Sequence, residues 1–595
     1  MDWETIRCLQ KVALGKEHPD LIIKGASAVN VYTGEVIPDY WVGVKGEYIA
    51  CAGTEKIEAG PHTIVIDATG RFLIPGFVDP HTHQDVWIQL HEFLKYAAVG
   101  GTTTFISEVL GLANVAGYNG VNCFLEAIKN QPVKIFTLVP MMAPGNPGLQ
   151  KGHPITLAQK EELLQLPEVL GLGETYWTRV LEGEEDFFRM YASAVNQRKT
   201  LEGHSAGARG RNLNAYFAAG ITSCHEPISV PEVRERLRLG AYVTIREGSI
   251  RRELEAIAPI AKENIDLCRL GLCTDGVFPE DLFAYGAMEF VVQKAIDLGF
   301  NPVQAIKMAT LNNAQRFNLD NLLGGIAPGK YADMVIIPGL TEIRAECVIS
   351  SGKVIARDGK MIVPPRPCEY PREVEKAFRI TPRFKPDDFL LPAGKAGGTA
   401  AVRVIKMLSD MITAEEIAEL PVVNGEIPAL PEQDMLKVAV ISSLDDSAMT
   451  VALVKGFGLR QGACAVSYTW DAPHLCVVGT NDRDIATLVN HIARSGGGFG
   501  VCIDGKIVAE LPLPIGGCIS DRPLPVVAAK IKEINQLIIS LGYPHYRPTL
   551  GLQVFTFLGV PALRLSSEGL ISTKDKRQVR TVLASRDGSC LPIIS

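Results

Sequence analysis

Between residues 70 and 320, short apolar runs of strand length alternate with stretches of helical periodicity. The runs are RFLIPGFVD, TTTFIS, VKIFTLVP, VLGLGE, KTLEGH, GITSCHE, AYVTIRE and LGLCTD. The intervening LAQKEELLQLP, EDFFRMYASAVNQR, VPEVRERLRLG and FNPVQAIKMATLNNAQRF read as helices, some opened by a cap or a proline. Eight such units over about 250 residues are what a (β/α)8 TIM barrel requires. An open doubly wound sheet is the competing architecture, but no G-x-G-x-x-G follows the first strand.

The flanks have a different texture. From Leu21 to Asp67 the chain runs in short β-like segments broken by Gly, Asn and Thr-Gly. The same texture returns after Gly324, in GGIAPGKYADMVII and CVISSGKVIARDGK. This predicts one small β-sandwich domain built from both arms, residues 1–70 and 323–365, around a barrel at 71–322. Two independent hairpins are the alternative. Beyond the Pro-rich VPPRPCEYPRE (363–373), strands and helices mix again, which predicts a further α/β domain at 366–595.

Composition narrows the function. The chain has 59 basic and 66 acidic residues, a net −7, and no long basic run, so neither nucleic acid nor an anionic membrane has an electrostatic reason to bind. No run approaches the ~18 apolar residues of a membrane span. The start Met1-Asp2-Trp3-Glu4 does not read as a secretory signal. The 13 cysteines are scattered without a C-x-x-C pair, as expected for reduced thiols of a cytoplasmic protein. Any metal must then be held by nitrogen and oxygen.

Histidine is scarce at 11, so its placement carries weight. His81 and His83 follow the first barrel-type run as H-x-H, and residues i and i+2 of a strand share a face. Glu174, His204, His225 and Asp275 stand at the ends of later runs, where barrels place their chemistry. Four imidazoles and two carboxylates suit two borderline divalent ions, Zn, Mn or Fe, with Glu174 bridging them. His18, His62, His91, His153, His491 and His545 lack such placement and read as surface or structural.

The chain also resembles the adenine deaminase family of the amidohydrolase superfamily. The resemblance rests on PGFVDPHTH (75–83), GTTT (101–104), ANV (113–115), GLGE (171–174), EGH (202–204), HE (225–226), REGS (246–249), TD (274–275), ATLN (309–312) and GGIAPGKYAD (324–333). It continues in KGFGLRQGACAVSY (455–468), VVGTND (477–482), GGG (496–498) and LPLPIGGCISD (511–521). It implies a binuclear centre, Mn or Fe rather than Zn, in a homodimer that converts adenine and water to hypoxanthine and ammonia. Within that scheme Asp275 carries the proton of the attacking water, and His225 polarises the ring atom beside the attacked carbon. Glu108 and Glu247 would exchange protons with ring nitrogens. Arg246, Ser249, Glu226, Trp470 and His474 would contact the purine-like substrate; Ser249 could instead cap a helix.

The chain departs from the family pattern at Val109-Leu110-Gly111, where a Pro-His-Glu segment is usual, and at Gly276, beside Asp275, where a second Asp is usual. A third departure is Trp470-Asp471-Ala472-Pro473-His474-Leu475, in place of a His-Asp-Ser-His-Asn segment. These changes remove polar side chains, which predicts that adenine is a poor or non-exclusive substrate beside a related heterocycle. A cyclic-amide hydrolase, or a binding protein that keeps its metals without turnover, are the readings that compete with a deaminase.

Overall fold

RFLIPGFVD, read from sequence as one strand, is divided at Gly76 between two sheets. Phe72–Pro75 joins the flanking sheet, and Phe77–Thr82 opens the central one. A side chain at 76 would drive its Cβ to 2.2 Å from the Thr103 hydroxyl. The structure is a computed structural model that describes residues 1–444, 448–560 and 562–583. The last residues of the expected C-terminal domain, 584–595, lie outside the described residues.

The central strands are β1 (Phe77–Thr82), β2 (Thr102–Ser107), β3 (Lys134–Val139), β4 (Val169–Tyr176), β5 (Thr200–His204), β6 (Ser223–Cys224), β7 (Tyr242–Arg246) and β8 (Leu270–Cys273). All their pairings are parallel: β1 to β5 form one sheet and β6 to β8 another, each in chain order. That unbroken order excludes a doubly wound sheet, which needs a reversal of strand order. Hydrogen bonds bridge the two sheets. Thr222 N donates to Leu201 O at 3.0 Å on one side, and Asp275 N donates to His81 O at 3.0 Å on the other. The Asn313 amide donates to both Val78 O (2.8 Å) and Leu272 O (2.9 Å), tying β1 to β8.

The helices follow their sequence signals with one exception. Leu157–Leu164 opens with a reciprocal Thr156/Gln159 capping box, and Val230–Arg238 has Pro231 in its first turn. FNPVQAIKMATLNNAQRF, expected as one helix, breaks at Thr310 into Pro302–Met308 and Leu311–Arg316. The break leaves the Ala309 carbonyl to accept from Val78 N of β1 at 2.8 Å.

Both flanking arms enter one nine-stranded sheet, where Met334–Ile337 lies antiparallel to Phe72–Pro75. The two arms therefore share a single mixed sheet, with Ile64–Asp67 parallel to Leu21–Asn30, and are not two independent hairpins. The C-terminal segment forms an eight-stranded sheet from Thr399–Met407 to Lys506–Pro512, with helices Asp482–Arg494 and Leu524–Ser540. It pairs with the segment after β1 through a separate two-stranded parallel sheet of Ile519–Ser520 and Trp87–Ile88. Among the described residues no helix is long and apolar enough to cross a membrane.

Candidate metal centre and substrate cavity

Strand ends at one face bring six side chains together. His81 Nε2 lies 3.0 Å from Asp275 Oδ1, and His83 Nε2 lies 3.7 Å from the same oxygen. Glu174 Oε2 stands between His204 Nδ1 (2.8 Å) and His225 Nε2 (3.2 Å). The His81 and His225 rings stack with centroids 3.9 Å apart, joining the two halves. Three overlapping groups have ligand atoms within 4.8 Å of one another: His81, His83 and Asp275; His81, Glu174 and His225; His204, His225 and Glu226. Glu226, expected at the substrate, thus stands within ligand distance of two imidazoles, at 3.3 Å from His225 and 3.5 Å from His204.

The cluster suits divalent ions. His81 Nδ1, His204 Nε2 and His225 Nδ1 are sealed from water without a hydrogen-bond partner. Buried nitrogens left in that state are costly, and a positive ion among anionic carboxylates relieves the cost. Burial works against the Asp275 carboxylate, but hydrogen bonds to His81 and His83 and the Arg246 charge hold it well below its ordinary range. Burial also opposes protonation of His83, yet the Asp275 and Glu174 charges push it up to about 9.

Local sequence explains the packing. In GLGE, a Cβ at Gly171 would meet the Thr200 carbonyl at 2.1 Å, and one at Gly173 would meet Glu108 Oε2 at 2.3 Å. Both glycines let β4 approach its neighbours closely enough to present Glu174. Glu108 accepts from Glu174 N at 2.9 Å and lies 3.6 Å from His81, fully buried. Burial, then the Glu174 charge, pushes it up to about 7. It braces the ligands from behind and is not part of the cavity wall.

A cavity opens over the cluster, walled by Trp87, Phe278, Tyr468, Trp470 and Phe557, with His83, Glu174 and Asp275 also lining it. Flat aromatic walls beside polar side chains suit a heterocycle that carries hydrogen-bonding groups. All three segments that depart from the family pattern reach this wall, through Leu110 and Gly111, Gly276, and Trp470. At Gly111 a Cβ would stand 2.3 Å from Val86 Cγ1 and 3.0 Å from Asp85 Oδ2, so a side chain there would have to displace Val86. Gly276 takes φ +97, a conformation that glycine adopts without strain.

Other expected contacts fall elsewhere. Arg246 lines the cavity, but its guanidinium is committed to Glu226, to Glu253 (two contacts at 3.1 Å) and to Asp275 (3.2 Å). Four of its five N–H donors are thus engaged by acids. Glu247 pairs with Lys294 at 2.6 Å and accepts from Leu254 N. Ser249 caps no helix: it donates to Asp281 at 2.7 Å and accepts from Phe278 N. His474 begins a strand of the C-terminal sheet and is fully buried, with its nearest polar side-chain partner Ser567 at 3.4 Å. None of Glu247, Ser249 and His474 lines the cavity. The sequence reading overlooked Trp87, Tyr176 and Asp471, which do. Asp471 adjoins Trp470, and Tyr176 lies two residues past Glu174, an i, i+2 relation that was legible on a strand.

Comparison with known proteins agrees with this geometry. Residues 72–355 match the amidohydrolase family, and residues 410–577 match the adenine deaminase C-terminal domain. The chain is 34% identical to an adenine deaminase of Cenarchaeum symbiosum over 99% of its own length and 97% of that protein's. It is 35% identical to one of Desulforamulus reducens over 96% and 97%, and 34% identical to one of Moorella thermoacetica over 97% and 98%. By length, domain content and identity, this chain belongs to the adenine deaminase family of amidohydrolases.

Proposed function

We propose that this chain hydrolyses adenine to hypoxanthine and ammonia, at two divalent ions in the mouth of a closed (β/α)8 barrel. The observation that carries the reading is the convergence of His81, His83, Glu174, His204, His225 and Asp275 beneath an aromatic cavity. The full-length similarity to proteins named adenine deaminase supports it. The hydrogen bonds linking β5 to β6 and β8 to β1 support closure of the barrel. The single sheet shared by both arms supports a division into a small domain (1–70 with 323–365), the barrel (71–322) and a C-terminal domain (366–595).

His81, His83 and Asp275 would hold one ion, His204 and His225 the other, and Glu174 would touch both; the nitrogen and oxygen donor set suits Mn or Fe. When bound, such ions would supply the Lewis acidity that makes a water easier to deprotonate near neutral pH. Asp275 takes the proton of the attacking water and delivers it to the departing amine. Arg246, 3.2 Å from Asp275 Oδ2, keeps that carboxylate aimed while neutralising Glu226. The aromatic walls hold the purine flat and keep bulk water off the attacked carbon.

The test is ammonia release across a panel of purines by Mn-reconstituted protein. Release from adenine with a kcat/KM of about 10⁴–10⁸ M⁻¹s⁻¹ is expected, in place of the poor turnover expected from the changed residues alone, because full-length relatives are named adenine deaminase. No release from adenine, with full metal occupancy, would overturn the reading. The panel includes other purines because Leu110, Gly111, Gly276 and Trp470 alter the wall.

A further inference from the structure

We propose that Cys123 and Cys368 form a reversible oxidation site, at which hydrogen peroxide converts the two thiols into a disulfide that fastens the segment leading into the C-terminal domain to the helix after β2. The inference is independent of the purine chemistry above.

Cys123 lies in the helix Leu110–Ala127 and is 4% exposed, whereas Cys368 lies in the Pro-rich segment 363–373 and is half-buried. Both are free thiols. Although far apart in the chain, they touch: the Cys123 thiol donates to the Cys368 sulfur. Cys368 in turn donates to Glu369 O at 3.3 Å.

A built joint brings them together. Arg366 donates from Nε to Lys129 O at 3.0 Å and from Nη2 to Glu126 O, so its guanidinium satisfies carbonyls at the end of the helix. Gln131 closes the joint from both directions. Its side chain donates to Arg366 O at 2.9 Å and accepts from Arg366 N at 2.9 Å. Residue 366 is thereby held one turn past Cys123, and Cys368 follows two residues later.

The two sulfurs divide the roles that a peroxide needs. The bond from Cys123 lowers the Cys368 thiol from an ordinary 9 to about 7, against its burial and with help from the Arg366 charge. The same bond, then burial, pushes the Cys123 thiol well up. A thiolate is the nucleophile, so Cys368 meets the oxidant first and buried Cys123 resolves the product. Cys268 is more exposed, but burial and then Asp266 push its thiol up.

In the first step the Cys368 thiolate attacks one peroxide oxygen. The S–O bond forms, the O–O bond breaks, and the second oxygen leaves as hydroxide, which takes the thiol proton and becomes water. The Cys123 sulfur then attacks the sulfenic acid. The S–S bond forms, the S–O bond breaks, and the hydroxyl leaves with the Cys123 proton as a second water. Two sulfurs lose two electrons and the peroxide gains them; a dithiol reductant reverses the bond. The helix that would be fastened also serves the cavity. Gly117, at φ +59, interrupts it between Cys123 and the cavity-lining Leu110, Gly111 and Asn114. The fastened segment runs on to Glu375, whose carbonyl accepts from Gly516 N at 3.0 Å.

The experiment exposes the Mn-reconstituted full chain to hydrogen peroxide at pH 7, then alkylates and digests it without reductant for mass spectrometry. A linked pair of peptides carrying Cys123 and Cys368 is expected, about 2 Da lighter than their sum because both thiol hydrogens are lost. Dithiothreitol should restore both thiols. The linked protein should melt about 4 °C or more above the reduced one, since the bond constrains the unfolded chain. In C123S, which lacks the resolving sulfur, Cys368 is expected to proceed to sulfinic acid that dithiothreitol does not reverse. Wild type in which other thiols oxidise while Cys123 and Cys368 stay reduced overturns the proposal without any variant, which covers a misfolded C123S. Cys368 carried to sulfinic acid in wild type, with Cys123 left free, overturns the pairing. A linked protein that melts no higher than the reduced one overturns the fastening.

Discussion

At Asp275 the backbone takes φ +52, and the carboxylate turned out by that conformation meets His81 on one oxygen and Arg246 on the other. Asp275→Asn keeps the shape and removes the proton acceptor. Turnover is expected to fall by about 10²-fold or more with metal retained, checked by steady-state kinetics beside metal analysis. A second carboxyl is legible only in three dimensions. The Glu289 residue as a whole is half-buried, but its Oε2 is sealed from solvent without a partner. Burial pushes its carboxyl up to about 7 from an ordinary 4.5. Folding thus favours the protonated form: the stability it contributes is full below pH 4.5 and is lost as pH rises through 7. Glu289→Gln stays neutral throughout. Wild type is expected to lose roughly 1–3 kcal/mol relative to the variant between pH 5 and 8, measured by urea unfolding.

Among the elements, the split helix pair after β8 ties the last central strand to the first. Pro302 and the Asn301 cap start the first half, and Thr310 interrupts the pair so that Ala309 O meets β1. Asn313, 1% exposed, then bonds β1 and β8 at once. Asn313→Ala would strand two buried carbonyls and is expected to cost about 2–4 kcal/mol of unfolding free energy. His81 lies on β1 and Asp275 two residues past β8, so metal affinity should fall with stability. Unfolding and metal titration of the same sample check both. The interruption was invisible in the sequence because AIKMATLNNAQ has good helical periodicity throughout, and the competing hydrogen bond comes from a strand more than two hundred residues earlier. The same limit applies to RFLIPGFVD, whose apolarity does not say that Gly76 must pass beneath Thr103.

At the scale of the whole molecule, the C-terminal domain forms part of the cavity. Arg547 donates to Asp281 at 2.8 Å and to Ser249 O at 3.3 Å, with its guanidinium 5.0 Å above the Phe278 ring. Phe278 is a cavity wall, so this contact between domains sets the shape seen by the substrate. Arg547→Ala is expected to cost roughly 2–4 kcal/mol, because Asp281 loses one of its buried partners. KM should rise more than kcat falls, since the metal ligands are untouched; kinetics with melting curves test this. The eight central strands, the convergence of His81, His83, Glu174, His204, His225 and Asp275 at their ends, and the family were legible in the chain alone, because strand apolarity and i, i+2 geometry are local properties. Only the tertiary structure decided that Arg246 is tied up by three acids, that Glu247, Ser249 and His474 turn away from the cavity, and that Asp471 and Trp87 enter it. Those outcomes depend on which buried charges find partners across domains, and burial and pairing are set by residues far apart in the chain.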